Sequence, residues 1–176
     1  MDYQALEEHI KDSVMEEQAK LGFRKEVIWL YYPVGMLNNL FGTACDAEEM
    51  QQALAGFTDF AKERLGEVTI THKKDRFCLL LPEETSIYVH EHKKENEFIH
   101  QLVNLIASHE TDMEQVKKLF EQQPFPSVVE QTTGGEFDTV IHFTQGDDRY
   151  YYCFKDEGFH ITYHRFLPAD YKDLGV

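Results

Sequence analysis

Cys78, His90 and His92, and again Cys153, His160 and His164, group thiols and imidazoles in two separate stretches of this chain. Thiolate sulfur and imidazole nitrogen suit a borderline-soft ion such as zinc, and a water held on such an ion can be activated for hydrolysis. The first stretch runs Gly66-Glu67-Val68 to His72, then Asp75-Arg76-Phe77-Cys78, then Ile87-Tyr88-Val89-His90. The second runs Gly135-Glu136-Phe137 to His142, then Asp148-Arg149-Tyr150 to Cys153, then His160 to His164. Each places an Arg and a Cys on one expected strand and two His on the next. Self-similarity at a spacing of about seventy residues suggests an internal duplication.

The chemistry depends on strand register. If the turn at Pro82–Thr85 pairs Leu81 with Ile87, Cys78 faces His90 and Arg76 faces His92. Pairing Phe154 with Phe159 likewise sets Cys153 opposite His160 and Arg149 opposite His164. Cross-strand neighbours have Cβ atoms roughly 4.5–5.5 Å apart, close enough to share one ion. Two effects oppose this: each adjacent Arg repels a divalent cation, and a one-residue slip dissolves the alignment. The phosphate-loop, dinucleotide, H-E-x-x-H and G-x-S-x-G signatures are all absent. His109-Glu110-Thr111-Asp112-Met113 lacks the second His of a zinc protease and reads as a helix–helix junction.

The elements that must position these residues follow from periodicity. Tyr3, Leu6, Ile10, Val14 and Leu21 mark an amphipathic helix over 2–21, stopped at Gly22. Val27–Tyr32 is apolar throughout, which predicts a buried strand with Trp29, Tyr31 and Tyr32 in the core. Residues 36–41 form a short helix. Asp46 and Glu49 make a capping box for one helix running to Leu65, with its stop at Gly66. Strands are expected at about 67–73, 76–81 and 86–92, and helices at about 95–108 and 112–123, the second opened by a capping box over Thr111–Glu114. A four-stranded meander then covers roughly 127–132, 137–144, 149–155 and 159–166, with Tyr150, Tyr152, Phe154, Phe159 and Tyr163 as its core row. Tyr151 lies on the other face as a candidate binding anchor, and 167–176 reads as a loosely held tail. The fold class is α+β, with antiparallel meanders packed against helices. A single domain over 1–176 is expected, with pseudo-repeat halves 46–92 and 95–166.

Composition bounds the partners. The chain has 32 acidic and 17 basic residues, for a net charge of −15. That field repels nucleic acid and anionic membranes and favours a basic protein partner. Three widely spaced cysteines, Cys45, Cys78 and Cys153, suit a reducing cytoplasm. The N-terminus carries no basic and apolar leader, and no apolar run reaches the roughly 18–20 residues of a membrane span. An exposed meander edge offers a route to a homo-oligomer.

Leu30-Tyr31-Tyr32-Pro33, followed by Leu37-Asn38-Asn39-Leu40-Phe41-Gly42-Thr43, resembles a motif of a small family of uncharacterised proteins from gut-dwelling Gram-positive bacteria. The resemblance implies a bacterial cytoplasmic protein and transfers no catalytic residue. The leading expectation is an acidic, cytosolic, non-enzymatic interaction protein of regulatory or inhibitor type, with no cofactor. The alternatives are a metal-dependent hydrolase using the Cys/His faces and a small-molecule sensor with an aromatic pocket near Trp29.

Overall fold

The computed structural model describes residues 2–93, 96–108, 110–133 and 135–174, and the chain divides into two units, Met1–Glu95 and Asn96–Val176. His109 and Gly134, which the sequence places in a helix junction and a turn, lie outside the described residues, as do Gly175 and Val176 of the expected tail.

The first unit opens with helix α1 (Tyr3–Leu21), capped by the Asp2 side chain, which accepts from the backbone amides of Gln4 and Ala5. Strand β1 (Ile28–Pro33) and helix α2 (Val34–Phe41) follow. The expected single helix over 46–65 is instead two, α3 (Ala47–Leu54) and α4 (Phe57–Leu65). The break has a cause in α1. The Tyr3 hydroxyl donates to the Ala53 carbonyl at 2.6 Å, the acceptor a continuous helix would use for Phe57. A Cβ on Gly56 would lie 2.8 Å from that hydroxyl, so a side chain there would push the Tyr3 ring away from its bond. The Asp46–Glu49 capping box forms as expected.

Strands β2 (Thr69–Lys73) and β3 (Arg76–Leu81) form a hairpin, and β1 joins it on the far side of β3, giving an antiparallel sheet of order β1-β3-β2. The strand expected over 86–92 is a helix, α5 (Glu83–His92). Its β-branched and aromatic residues mimic a strand, but Pro82 and the acidic first turn of Glu83 and Glu84 are helix-start signals. Thr85 and Ser86 then tie the helix down, donating to the carbonyls of Leu65 and Arg24 at 2.5 and 2.6 Å. The two sequence copies therefore share a hairpin but not a third strand. The core of this unit joins Leu6, Ile10 and Val14 of α1 to Phe57, Leu65, Phe77, Leu79, Leu81 and Val89.

The second unit comprises α6 (Glu97–Ala107), α7 (Met113–Glu121), β4 (Ser127–Gln131), β5 (Thr139–Phe143), β6 (Tyr151–Asp156), β7 (Ile161–Phe166) and α8 (Pro168–Asp173). Its antiparallel sheet runs β4-β5-β6-β7, separate from the first. The capping box of α7 pairs Asp112 with Gln115, one residue later than expected. Phe98, Phe120, Phe143 and Tyr152 pack ring on ring beneath the sheet. Phe154 pairs with Tyr163 and not with Phe159. The β6–β7 turn is centred two residues later than expected: Glu157 donates to the His160 carbonyl at 3.0 Å and Gly158 adopts a φ of 83°. Phe159 consequently sits exposed at the turn, outside the core row. The expected loose tail is helical at α8.

Candidate functional site

Alternation along β1 sends its residues to two different environments. Tyr32 points inward, buried and edge-on to His9 at 5.7 Å. Burial raises its hydroxyl pKa, an effect only partly offset by a hydrogen bond with Ser13. Trp29 and Tyr31 point the other way and stand 57 % and 64 % exposed. The expectation that the whole run is core fails because an unbroken apolar run hides its own alternation.

Register places the outward residues in three rows. Trp29 lies beside Leu80 and Thr69, Tyr31 beside Cys78 and Thr71, and Pro33 beside Arg76 and Lys73. The opposite side of β3, carrying Phe77, Leu79 and Leu81, is buried against the helices. The result is a sheet face on which, among the described residues, Trp29 and Tyr31 stand exposed. None of its nine positions carries a carboxylate, in a chain with 32 acidic residues. Two adjacent exposed rings suit a recognition surface, since aromatic anchors dominate binding energy.

The sequence-selected thiols and imidazoles scatter. Cys78 is on this open face, while α5, with His90 and His92, packs on the buried side through Val89. The expected pairings of Cys78 with His90 and of Arg76 with His92 therefore do not exist. His90 stacks on Phe23 at 4.0 Å. His92 stacks on Tyr88 at 4.3 Å and lines a 290 Å³ cleft with Lys62, Arg64 and Glu91.

In the second unit, Cys153 faces His164 and not His160, a consequence of the displaced turn. His160 instead sits 3.2 Å from Glu157. Tyr151 is half-buried, stacked between His142 at 4.2 Å and Tyr171 at 4.9 Å, so it is not a free anchor. Among the described residues, no group of three or more His, Cys, Asp or Glu converges to hold a metal ion.

Cys153 is fully buried beside Phe137 and Val140, and burial pushes its thiol pKa up to about 12. A thiol held protonated is a poor nucleophile. In native protein Cys153 is expected to react with iodoacetamide at least about tenfold more slowly than the half-buried Cys45 and Cys78. Peptide mapping before and after denaturation reads the rates. Equal native labelling of all three thiols would contradict this packing.

Residues 3–175 match the family described as a domain of unknown function after an E. rectale gene (DUF3877), and the chain belongs to that family. No curated protein and no solved structure matches it. Among the described residues, no helix is long and apolar enough to cross a membrane.

Proposed function

We propose that this chain is a non-enzymatic interaction protein of the bacterial cytoplasm that captures a basic protein partner on the open sheet face of its first unit. The observation that carries this reading is the paired exposure of Trp29 and Tyr31 on a face without carboxylates. Their ring faces accept Arg or Lys side chains through cation–π contacts, worth on the order of 0.5–2 kcal/mol each. The net charge of −15 steers a cationic partner from a distance. Arg76 and Lys73 form the one basic row, so they confine the partner's cations to the Trp29 and Tyr31 rows.

The test compares immobilised wild type with Trp29→Ala/Tyr31→Ala in native lysate at low and high salt. Both rings are exposed, so the double variant is expected to keep its fold while weakening capture at least about a hundredfold, as loss of hot-spot anchors does. Trp29 is the only tryptophan, so its emission should shift to the blue as a retained partner covers it. Retention of the same proteins by the double variant, or no specific protein at low salt, would refute the reading.

A further inference from the structure

The outer edge of β4 turns a row of backbone groups away from its sheet. Thr132 donates to the Asp138 carbonyl at 3.0 Å, and Thr144 donates to the Pro126 carbonyl at 2.9 Å. These bonds fix the phase of the β4–β5 ladder: residues 126, 128, 130 and 132 of the β4 segment face β5. Ser127, Val129 and Gln131 therefore direct their backbone N–H and C=O groups away from the sheet. Val128 and Val129 are 38 % and 42 % exposed.

The two edges of the first unit's sheet carry protection that this one lacks. On β1, the bond from Val34 to the Asp75 carbonyl at 2.7 Å makes Trp29, Tyr31 and Pro33 the outward positions. Pro33 has no N–H to offer there. On β2 the edge ends in Lys73. Strand β4 contains neither Pro nor Lys, and Glu130 is its one charge.

We propose that β4 pairs antiparallel with β4 of a second copy, about a two-fold axis through Val129. In this register Val129 meets Val129, and Ser127 meets Gln131, with each pair exchanging both backbone bonds. Glu130 then lies opposite Val128 of the copy, so no like charges meet directly. A one-residue shift turns N–H away from C=O, and a two-residue shift shortens the ladder. The two-fold register is thus the one that uses every outward group.

Such a strand pair buries less than a standard interface, so the dimer is weak and concentration-dependent. Both copies carry −15, so added salt strengthens this association. Capture of a basic partner responds to salt in the opposite direction, and it uses the other unit. The two proposals therefore fail independently.

Sedimentation velocity on the full chain over a wide concentration range, at low and moderate salt, provides the test, with Val129→Pro as the decisive variant. The Val129 N–H points outward, so proline there leaves the β4–β5 bonds intact while removing a central donor of the dimer. Wild type is expected to dimerise reversibly, and Val129→Pro to associate at least about tenfold more weakly with unchanged circular dichroism. Amide exchange supplies a second readout in wild type alone: Val129 and Gln131 should gain protection as concentration rises, whereas Val128, already bonded to β5, should not. A wild type that stays monomeric throughout, undiminished association of Val129→Pro, or concentration-independent exchange at Val129 each overturns the proposal. If the variant fails to fold, the exchange measurement decides.

Discussion

Phe120→Ala is expected to cost about 4 kcal/mol of unfolding free energy, within the range of large-to-small aromatic core substitutions. Phe120 is fully buried, with the rings of Phe98, Phe143, Tyr152 and Phe154 at 4.8, 5.2, 5.3 and 6.1 Å. Its side chain supplies the centre of an aromatic cluster drawn from α6, α7, β5 and β6. Truncation removes the transferred area and the edge-to-face contacts, and leaves a void that rigid rings cannot fill by changing rotamer. Phe120→Leu should recover roughly half the loss, because much of the volume returns without the ring geometry. Urea unfolding with a shared m-value gives both numbers. A loss below about 1 kcal/mol for the alanine variant would mean that the cluster collapses to fill the space.

How much of this was legible in the sequence depended on whether a residue's neighbours were local. Helix α1, the Asp46–Glu49 cap and the β2–β3 hairpin rest on contacts within a few residues, and all were readable. The division of α3 from α4 was not, because its cause is Tyr3, fifty positions away along the chain. Helix α5 looks like a strand in sequence because Ile87, Tyr88 and Val89 favour strands locally, whereas Thr85 and Ser86 fix the helix through distant carbonyls. The alternative pairing of Cys78 with His90 required a strand there, and the helix takes His90 out of the sheet. In the second unit the strands were read correctly, but the β6–β7 register slipped at a turn. That slip exchanged His160 for His164 opposite Cys153.

The open face was concealed for another reason. Burial of one side of a strand shows in sequence only when the other side is polar, and β1 is apolar on both. An exposed Trp beside an exposed Tyr is what a recognition surface looks like in sequence, and so is a core strand. A weaker signal was available on β2 and β3. Thr69, Thr71, Lys73 and Arg76 alternate with Ile70, His72 and Phe77, which marks that side of the sheet as solvent-facing. Extending that face across register to β1 would have placed Trp29 and Tyr31 outside.

Glu7→Gln is expected to destabilise the protein by about 3 kcal/mol near neutral pH, the low end of what removing one partner from a buried ion pair costs. Glu7 on α1 is almost fully buried, ion-paired with Lys11 on the same helix and with Arg64 of α4, whose Nε donates to both carboxylate oxygens at 2.7 and 2.9 Å. Burial alone pushes the Glu7 carboxyl pKa up, but hydrogen bonds from Arg64 and Lys11 outweigh it and hold the value below the usual range. Lys11 is raised in turn: burial pulls it down, and the bonds to Glu7 and Glu8 prevail. The low end of the known range applies because Arg64 keeps contact with water and Lys11 retains Glu8 at 3.1 Å. A carboxyl with a depressed folded-state pKa contributes stability that is fully present above its unfolded pKa. That contribution is lost as pH falls through the folded value. Wild type and Glu7→Gln should therefore differ most near neutrality and converge in acid, because the glutamine has no proton to gain. Unfolding by urea at a series of pH values reads the convergence directly. Parallel curves across the acid range would show that the Glu7 charge contributes nothing, and that the network serves to hold α1 in register against α4 rather than to stabilise it.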